Sequence, residues 1–154
     1  MKRLRYSAIL FSYVMFIFSV SVLKNINAQI AQKEKSINGG SNNIDYLKKL
    51  NGKNADPVKL FKKSKFTSRL KKLVDKRYEF LEEIWNVYEP IKIKNNIFVA
   101  EACQIHNCAA TNAIIVVNFS KNIISVGIRE EGKIENFSED GLLWQEIIDW
   151  MRDD

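Results

Sequence analysis

The chain has 154 residues, of which 46% are hydrophobic, enough for one domain with a substantial core. Its formal net charge of +6 is unevenly divided. Residues 1–28 carry four basic side chains and no acidic one, residues 29–88 carry 14 basic and 7 acidic, and residues 89–154 carry 6 basic and 11 acidic. A nucleic-acid-binding protein usually concentrates basic side chains on its recognition element. Because the half with the most distinctive motif is acidic, the charge pattern argues against nucleic acid and favours a basic protein partner.

The first 28 residues have the three parts of a secretory signal peptide. A basic segment, Lys2-Arg3-Leu4-Arg5, precedes an apolar run at 8–23, and Ile26-Asn27-Ala28 supplies a small residue at the cleavage position. The apolar run is shorter than the roughly 20 residues that span a bilayer, which favours a cleaved peptide over a stable membrane anchor. We therefore expect a mature protein that begins near Gln29 and is periplasmic or secreted.

The segment after the signal peptide predicts little regular structure at first. Residues 29–43 are polar, lack an apolar period and end in Gly-Gly-Ser-Asn-Asn, which predicts a flexible lead-in to a domain at 44–154. A short helix is predicted at 44–50, where Gly52 follows its end. Asp56 and Pro57 then have the pattern of an N-cap and a first-turn proline, which predicts a second short helix through Phe61.

The strongest helical pattern covers residues 66–88. Apolar residues recur at intervals of three and four, while lysine, arginine and glutamate occupy the other face. This pattern predicts one long amphipathic helix under a sheet, with its charged face in solvent. The residues expected to face the core are Phe66, Leu70, Leu73, Val74, Leu81, Ile84, Trp85 and Tyr88.

After Pro90 the pattern changes from helical to extended. Short segments rich in β-branched and aromatic residues occur at 91–94, 97–100, 113–119, 123–128 and 133–137. The connections at 120–122 and 130–132 have hairpin lengths, and residues 142–151 predict a closing helix. Helices followed by a meander of strands and a final helix predict a single-domain α+β fold with an antiparallel sheet.

One motif in the chain carries chemistry. The segment Glu101-Ala102-Cys103-Gln104-Ile105-His106-Asn107-Cys108 contains both cysteines and the only histidine. A zinc site is one interpretation, but a closed structural site needs four ligands and no further cysteine or histidine exists. A cysteine nucleophile activated by the histidine is a second interpretation. The favoured interpretation is a disulfide, since an exported protein meets oxidising conditions, with His106 displayed at the tip of a closed loop.

These features together resemble the Ivy family, the periplasmic inhibitors of vertebrate lysozyme. The resemblance covers about 45–150 and is most specific at the C-x-x-H-x-C segment 103–108. It implies an α+β domain, often a homodimer, whose disulfide joins Cys103 to Cys108 and whose loop inserts His106 into the lysozyme active-site cleft. It implies no cofactor, no bound metal and no catalysis. The inhibitory loop would comprise Cys103, Gln104, Ile105, His106, Asn107 and Cys108.

The loop departs from the family's usual sequence C-K-P-H-D-C at three positions. Gln104 replaces lysine, Ile105 replaces proline and Asn107 replaces aspartate. The loss of proline loosens the loop, and the loss of aspartate removes a charge that could face a basic enzyme. The leading hypothesis is therefore an exported inhibitor of lysozyme or a related peptidoglycan hydrolase. The alternative is a periplasmic binding or interaction module of the same fold that does not inhibit lysozyme.

Overall fold

A six-stranded antiparallel sheet is the frame of the fold. The computed structural model describes residues 43–62 and 64–152, so the predicted signal peptide and nearly all of the predicted lead-in lie outside the described residues. The strands are β1 (Val87–Tyr88), β2 (Lys92–Lys94), β3 (Ile97–Cys103), β4 (Asn112–Asn118), β5 (Ile123–Glu130) and β6 (Lys133–Ser138). Their order is β1-β3-β4-β5-β6, with β2 also pairing β3. The α+β class with an antiparallel sheet, predicted from the order of elements, is confirmed.

The first face of the sheet is covered by the helices that precede it in the chain. They are a 3-10 helix (Asp45–Leu50), α1 (Pro57–Leu60), α2 (Ser64–Val74), a second 3-10 helix (Asp75–Arg77) and α3 (Tyr78–Glu83). Strand β3 alternates, so that Phe98, Ala100 and Ala102 are buried against these helices. As predicted, Asp56 caps α1, because its carboxylate accepts a hydrogen bond of 2.9 Å from the Val58 N–H.

The second face is covered in part by the closing helix, α4 (Gln145–Arg152). Its buried residues Ile147 and Trp150 pack against Ile114 and Val116 of β4. Gly127 of β5 permits this approach, since a Cβ atom at that position would lie 2.6 Å from Cζ3 of Trp150. Burial on both faces explains the continuous apolar run of β4. No helix within the described residues is long and apolar enough to cross a membrane.

The single long helix predicted at 66–88 is wrong. The chain is interrupted at Asp75, which adopts a left-handed φ of 45°, and it leaves the helical conformation after α3 so that Val87 and Tyr88 can pair with β3. Aspartate tolerates the left-handed region better than most residues. The apolar period survives the break, because Phe66 and Leu70 of α2 and Leu81 of α3 are all buried in one core. Sequence spacing therefore located the buried positions but not the backbone turn between them.

Two of the residues expected in the core are only half-buried. Leu73 packs on the edge of the main cluster and also lines a surface groove of about 360 Å³ beside Phe137 and Leu142. Tyr88 lies in β1 opposite Ala102 and not on a helix. The position of Tyr88 follows from the early end of α3 at Glu83.

Candidate functional site

The loop that contains the predicted site joins β3 to β4 at one end of the sheet. Cys103, the last residue of β3, is paired with Asn112, the first residue of β4. A disulfide joins Cys103 to Cys108 with a Cα–Cα distance of 4.8 Å, so the predicted bridge is confirmed. With both sulfurs in this bridge, neither is a thiolate that could attack a substrate or bind zinc. Within residues 43–62 and 64–152, no group of three acidic, cysteine or histidine side chains could hold a metal ion.

A tight turn forms the tip of the loop. The Asn107 N–H donates to the Gln104 carbonyl at 3.0 Å, which closes a turn with Ile105 and His106 at its two central positions. His106 has a φ of 63°, while Ile105 stays outside the left-handed region, and this is the pattern of a type II turn. Histidine is among the residues that adopt positive φ more readily than most.

The His106 side chain lies on the surface at this tip. The residue is exposed, and Ile105 beside it is 55% exposed. No side chain or backbone group of the described residues makes a hydrogen bond or ion pair with the imidazole. The imidazole can therefore offer a partner one hydrogen-bond donor and one acceptor when the ring is neutral, or two donors when it is charged.

Asn107, by contrast, directs its side chain into the loop. Its amide nitrogen lies 3.2 Å from Gln104 Oε1, 3.0 Å from Thr111 Oγ1 and 3.4 Å from Glu131 Oε1. Its carbonyl accepts from the Thr111 N–H at 2.9 Å and from the Ala110 N–H at 3.2 Å. Asn107 therefore stabilises the loop from within, whereas the aspartate usual at this position in the family was expected to face a basic enzyme.

Residues outside the loop hold it on both sides. Asn86, just after α3, donates its backbone N–H to the Cys103 carbonyl at 3.2 Å and accepts from the Ile105 N–H at 3.4 Å through Oδ1. On the other side, the Gly132 N–H of the β5–β6 turn donates to the Ala110 carbonyl at 3.2 Å. The sequence predicted the closed loop but neither anchoring contact, because Asn86 and Gly132 carry no local signal for a loop far from them in the sequence.

The acidic side chains around the loop differ in how they are neutralised. Arg77 pairs with Glu130 at 2.7 Å and lies 3.0 Å from Glu135. Lys92 bonds Glu89 at 2.9 Å, and this contact, with a smaller contribution from Glu101, raises the pKa of Lys92. Glu131 is exposed and takes part in no ion pair within the described part of the chain. Glu131, which contacts Asn107 beside the histidine, therefore carries a charge that no ion pair within the described residues compensates.

A groove of about 390 Å³ borders the disulfide on the face that carries α4. Its lining includes Val87, Glu89 and Trp150 as well as both bridged cysteines. The base of the loop therefore lies beside a concave surface.

One comparison with known proteins gives a match. Searches of curated proteins and of solved structures found no significant match. The family model described as inhibitor of vertebrate lysozyme (Ivy) matches residues 65–154, which is more than half of the chain and includes the whole sheet and the loop. Ivy is a family of inhibitors, not a class of enzymes. From the fold, the bridged loop and this match, we conclude that the chain belongs to the Ivy family.

Proposed function

We propose that this protein is an exported inhibitor of lysozyme, or of a related peptidoglycan hydrolase, that inserts His106 into the active-site cleft. The observation that carries the proposal is an exposed imidazole without a hydrogen-bond partner among the described residues, at the tip of a loop anchored on both sides. The protein would act by occupying the cleft, without catalysis and without a cofactor or metal.

The chemistry of the target suits an imidazole. Lysozyme cleaves its substrate between one protonated and one ionised carboxyl group, which in retaining enzymes lie about 5–5.5 Å apart. An imidazole between them could donate to the ionised carboxylate through one nitrogen and bond the second carboxyl group through the other. Such a ring has no glycosidic bond to cleave, so it would block the site.

The bridge contributes by ordering the loop before binding. Closing a ring of this size removes roughly 2 kcal/mol of chain entropy in the loop-closure description. A loop that is already ordered loses less entropy when it enters a cleft, and this favours tight binding.

The charge distribution supports a basic target. Residues 89–154, which contain the loop and the strands β2 to β6, carry 6 basic and 11 acidic side chains. Opposite charges on two partners accelerate their encounter and make it dependent on salt. We expect rim charges such as Glu131 to affect the association rate more than the dissociation rate.

Export and assembly are further parts of the proposal. The predicted signal peptide at 1–28 would deliver the protein to the periplasm or the exterior, where lysozyme acts, without a stable membrane anchor. A homodimer, implied by the family resemblance, could form along the outer edge of β6, which pairs with no other strand in the described structure. Leu142 and Leu143, which are 59% and 50% exposed, lie next to that edge.

The test is lysis of peptidoglycan by a c-type lysozyme in the presence of the mature protein. We expect inhibition by the wild type, and a loss of at least about tenfold for His106→Ala, as for the removal of a central anchor. Because alanine is strained at positive φ, His106→Asn provides a second variant that accepts this conformation but lacks the imidazole. Asn95→Ala places the same strain in an exposed turn at the opposite end of β3 and is the matched control.

Each result of this test has a distinct meaning. No inhibition by the wild type at micromolar concentration would favour the alternative, a binding module of the same fold. Equal inhibition by the wild type and both His106 variants would show that the loop histidine is not the inhibitory contact.

A further inference from the structure

We infer that Asn107 is a positioning residue whose contact with Glu131 holds the His106 turn in place. The β5–β6 turn would therefore control how the loop presents its histidine. The partner that His106 contacts rests on the proposed function, but the coupling between residues 107 and 131 does not.

The backbone of Asn107 is the central hydrogen-bonding point of the loop. Its N–H closes the turn that contains His106, and its carbonyl accepts from two N–H groups at the start of β4. A rotation of the backbone at this residue would break all three bonds together. The conformation of residue 107 and that of the histidine beside it are therefore linked.

The orientation of the Asn107 amide is set by a neighbour that can only accept hydrogen bonds. Gln104 and Thr111 can each rotate to present either a donor or an acceptor, so they would accept either end of the Asn107 amide. An ionised glutamate only accepts. Glu131, at 3.4 Å from Nδ2, is thus the neighbour that specifies nitrogen and not oxygen on this side.

The turn that carries Glu131 is itself a rigid element. Glu131 and Gly132 have φ values of 49° and 78°, and they connect the paired residues Glu130 and Lys133. Two central residues with positive φ are the pattern of a type I′ hairpin turn, which matches the twist of its strands. The turn also touches the loop at a second point, through the Gly132 N–H and the Ala110 carbonyl.

The contact between Asn107 and Glu131 predicts that a substitution at one residue can be compensated by a substitution at the other. Asn107→Asp would place a carboxylate 3.4 Å from the Glu131 carboxylate, and two like charges this close repel each other. Gln104 and Thr111 can each turn a donor toward the new carboxylate, but Glu131 can only accept, so it would have to rotate away into solvent and give up the contact. Adding Glu131→Gln would supply an amide that can donate to it. The defect of the single variant should therefore be repaired by the second change.

The experiment is a double-mutant cycle with two readouts, inhibition of a c-type lysozyme and amide hydrogen exchange in the isolated protein. For Asn107→Asp we expect at least about tenfold weaker inhibition. We also expect faster hydrogen exchange of the backbone N–H groups at positions 107 and 111. Asn107→Asp combined with Glu131→Gln should return both readouts to within about threefold of the wild type. Asn95→Asp, the same charge change in an exposed left-handed turn at the other end of β3, is the control.

The two readouts separate this inference from the proposed function. Equally fast exchange in Asn107→Asp and in the double variant would overturn the coupling, whatever the inhibition assay gives. Restored exchange without restored inhibition would overturn the claim that the coupling serves the presentation of His106. If the wild type does not inhibit, the proposed function fails, and the exchange cycle still decides whether Glu131 positions the loop.

Discussion

Removal of the disulfide should weaken inhibition while it leaves the fold intact. Replacing Cys103 and Cys108 together by serine leaves no cavity in the core, because Cys103 is only half-buried and Cys108 is exposed. The free energy of unfolding should fall by no more than about 2 kcal/mol, the loop-closure entropy of so small a ring.

The loop of this variant would keep part of its order. The Gln104 N–H still donates to the Thr111 carbonyl at 3.0 Å, and the bonds of Asn107 within the loop do not involve sulfur. Part of the entropy that the bridge removes would then have to be lost on binding. If all of this entropy had to be lost on binding, inhibition would weaken by up to about 30-fold, since 1.4 kcal/mol corresponds to a factor of ten.

Urea unfolding followed by tryptophan fluorescence and a lysis assay measure the two effects on the same preparation. Ala109→Ser, an exposed change in the same loop that keeps the bridge, is the matched control. Complete unfolding of the double-serine variant would mean that the bridge holds the fold and not merely the loop. Inhibition equal to that of the wild type would refute the idea that the bridge orders the loop for binding.

Other substitutions test the turn, the core and a buried phenol. Ile105→Pro should tighten inhibition about two- to fivefold, because proline suits the second position of a type II turn, and the Ile105 N–H that it removes makes only a long contact of 3.4 Å with Asn86; weaker inhibition would mean that this N–H or the Ile105 side chain matters more. Leu81→Ala should lower the free energy of unfolding in urea by about 2–5 kcal/mol, whereas the half-buried Leu73→Ala should lower it by less than half as much; equal losses would contradict the difference in burial between the two side chains. Burial, with Glu82 nearby, raises the pKa of Tyr78 to about 12 from 10.0. The folded protein then keeps a proton that the unfolded chain loses, so stability should fall as pH rises from about 10 to about 12, by up to about 2–3 kcal/mol, and Tyr78→Phe should lack this component of the pH dependence.

Local patterns predicted β2 to β6 and the bridge for physical reasons, whereas β1 fell within the predicted helix. The inner strands β3, β4 and β5 are apolar and bounded by turns, and the two cysteines lie close enough in sequence to meet across one loop. The predicted helix ran through Asp75 because buried positions keep their spacing on both sides of a left-handed residue. No proline or glycine marks the break.

The supports of the loop could not be predicted from local sequence. Asn86 and Glu131 reach the loop only because β1 and the β5–β6 turn lie on either side of it in the folded sheet. The inward direction of Asn107 is likewise a property of the turn that ends at this residue. Sequence resemblance identified which residues form the loop, and the folded structure separated the exposed histidine from the residues that hold it.

Competition for the active-site cleft tests the central claim most directly. The affinity of the mature protein for a c-type lysozyme would be measured by calorimetry, first alone and then with the enzyme saturated by an oligosaccharide of N-acetylglucosamine. If His106 and its loop enter the cleft, the oligosaccharide and the protein exclude each other, and the apparent affinity should fall in proportion to the oligosaccharide concentration. An affinity unchanged by a saturated cleft would contradict insertion of the loop, even if the protein still binds the enzyme.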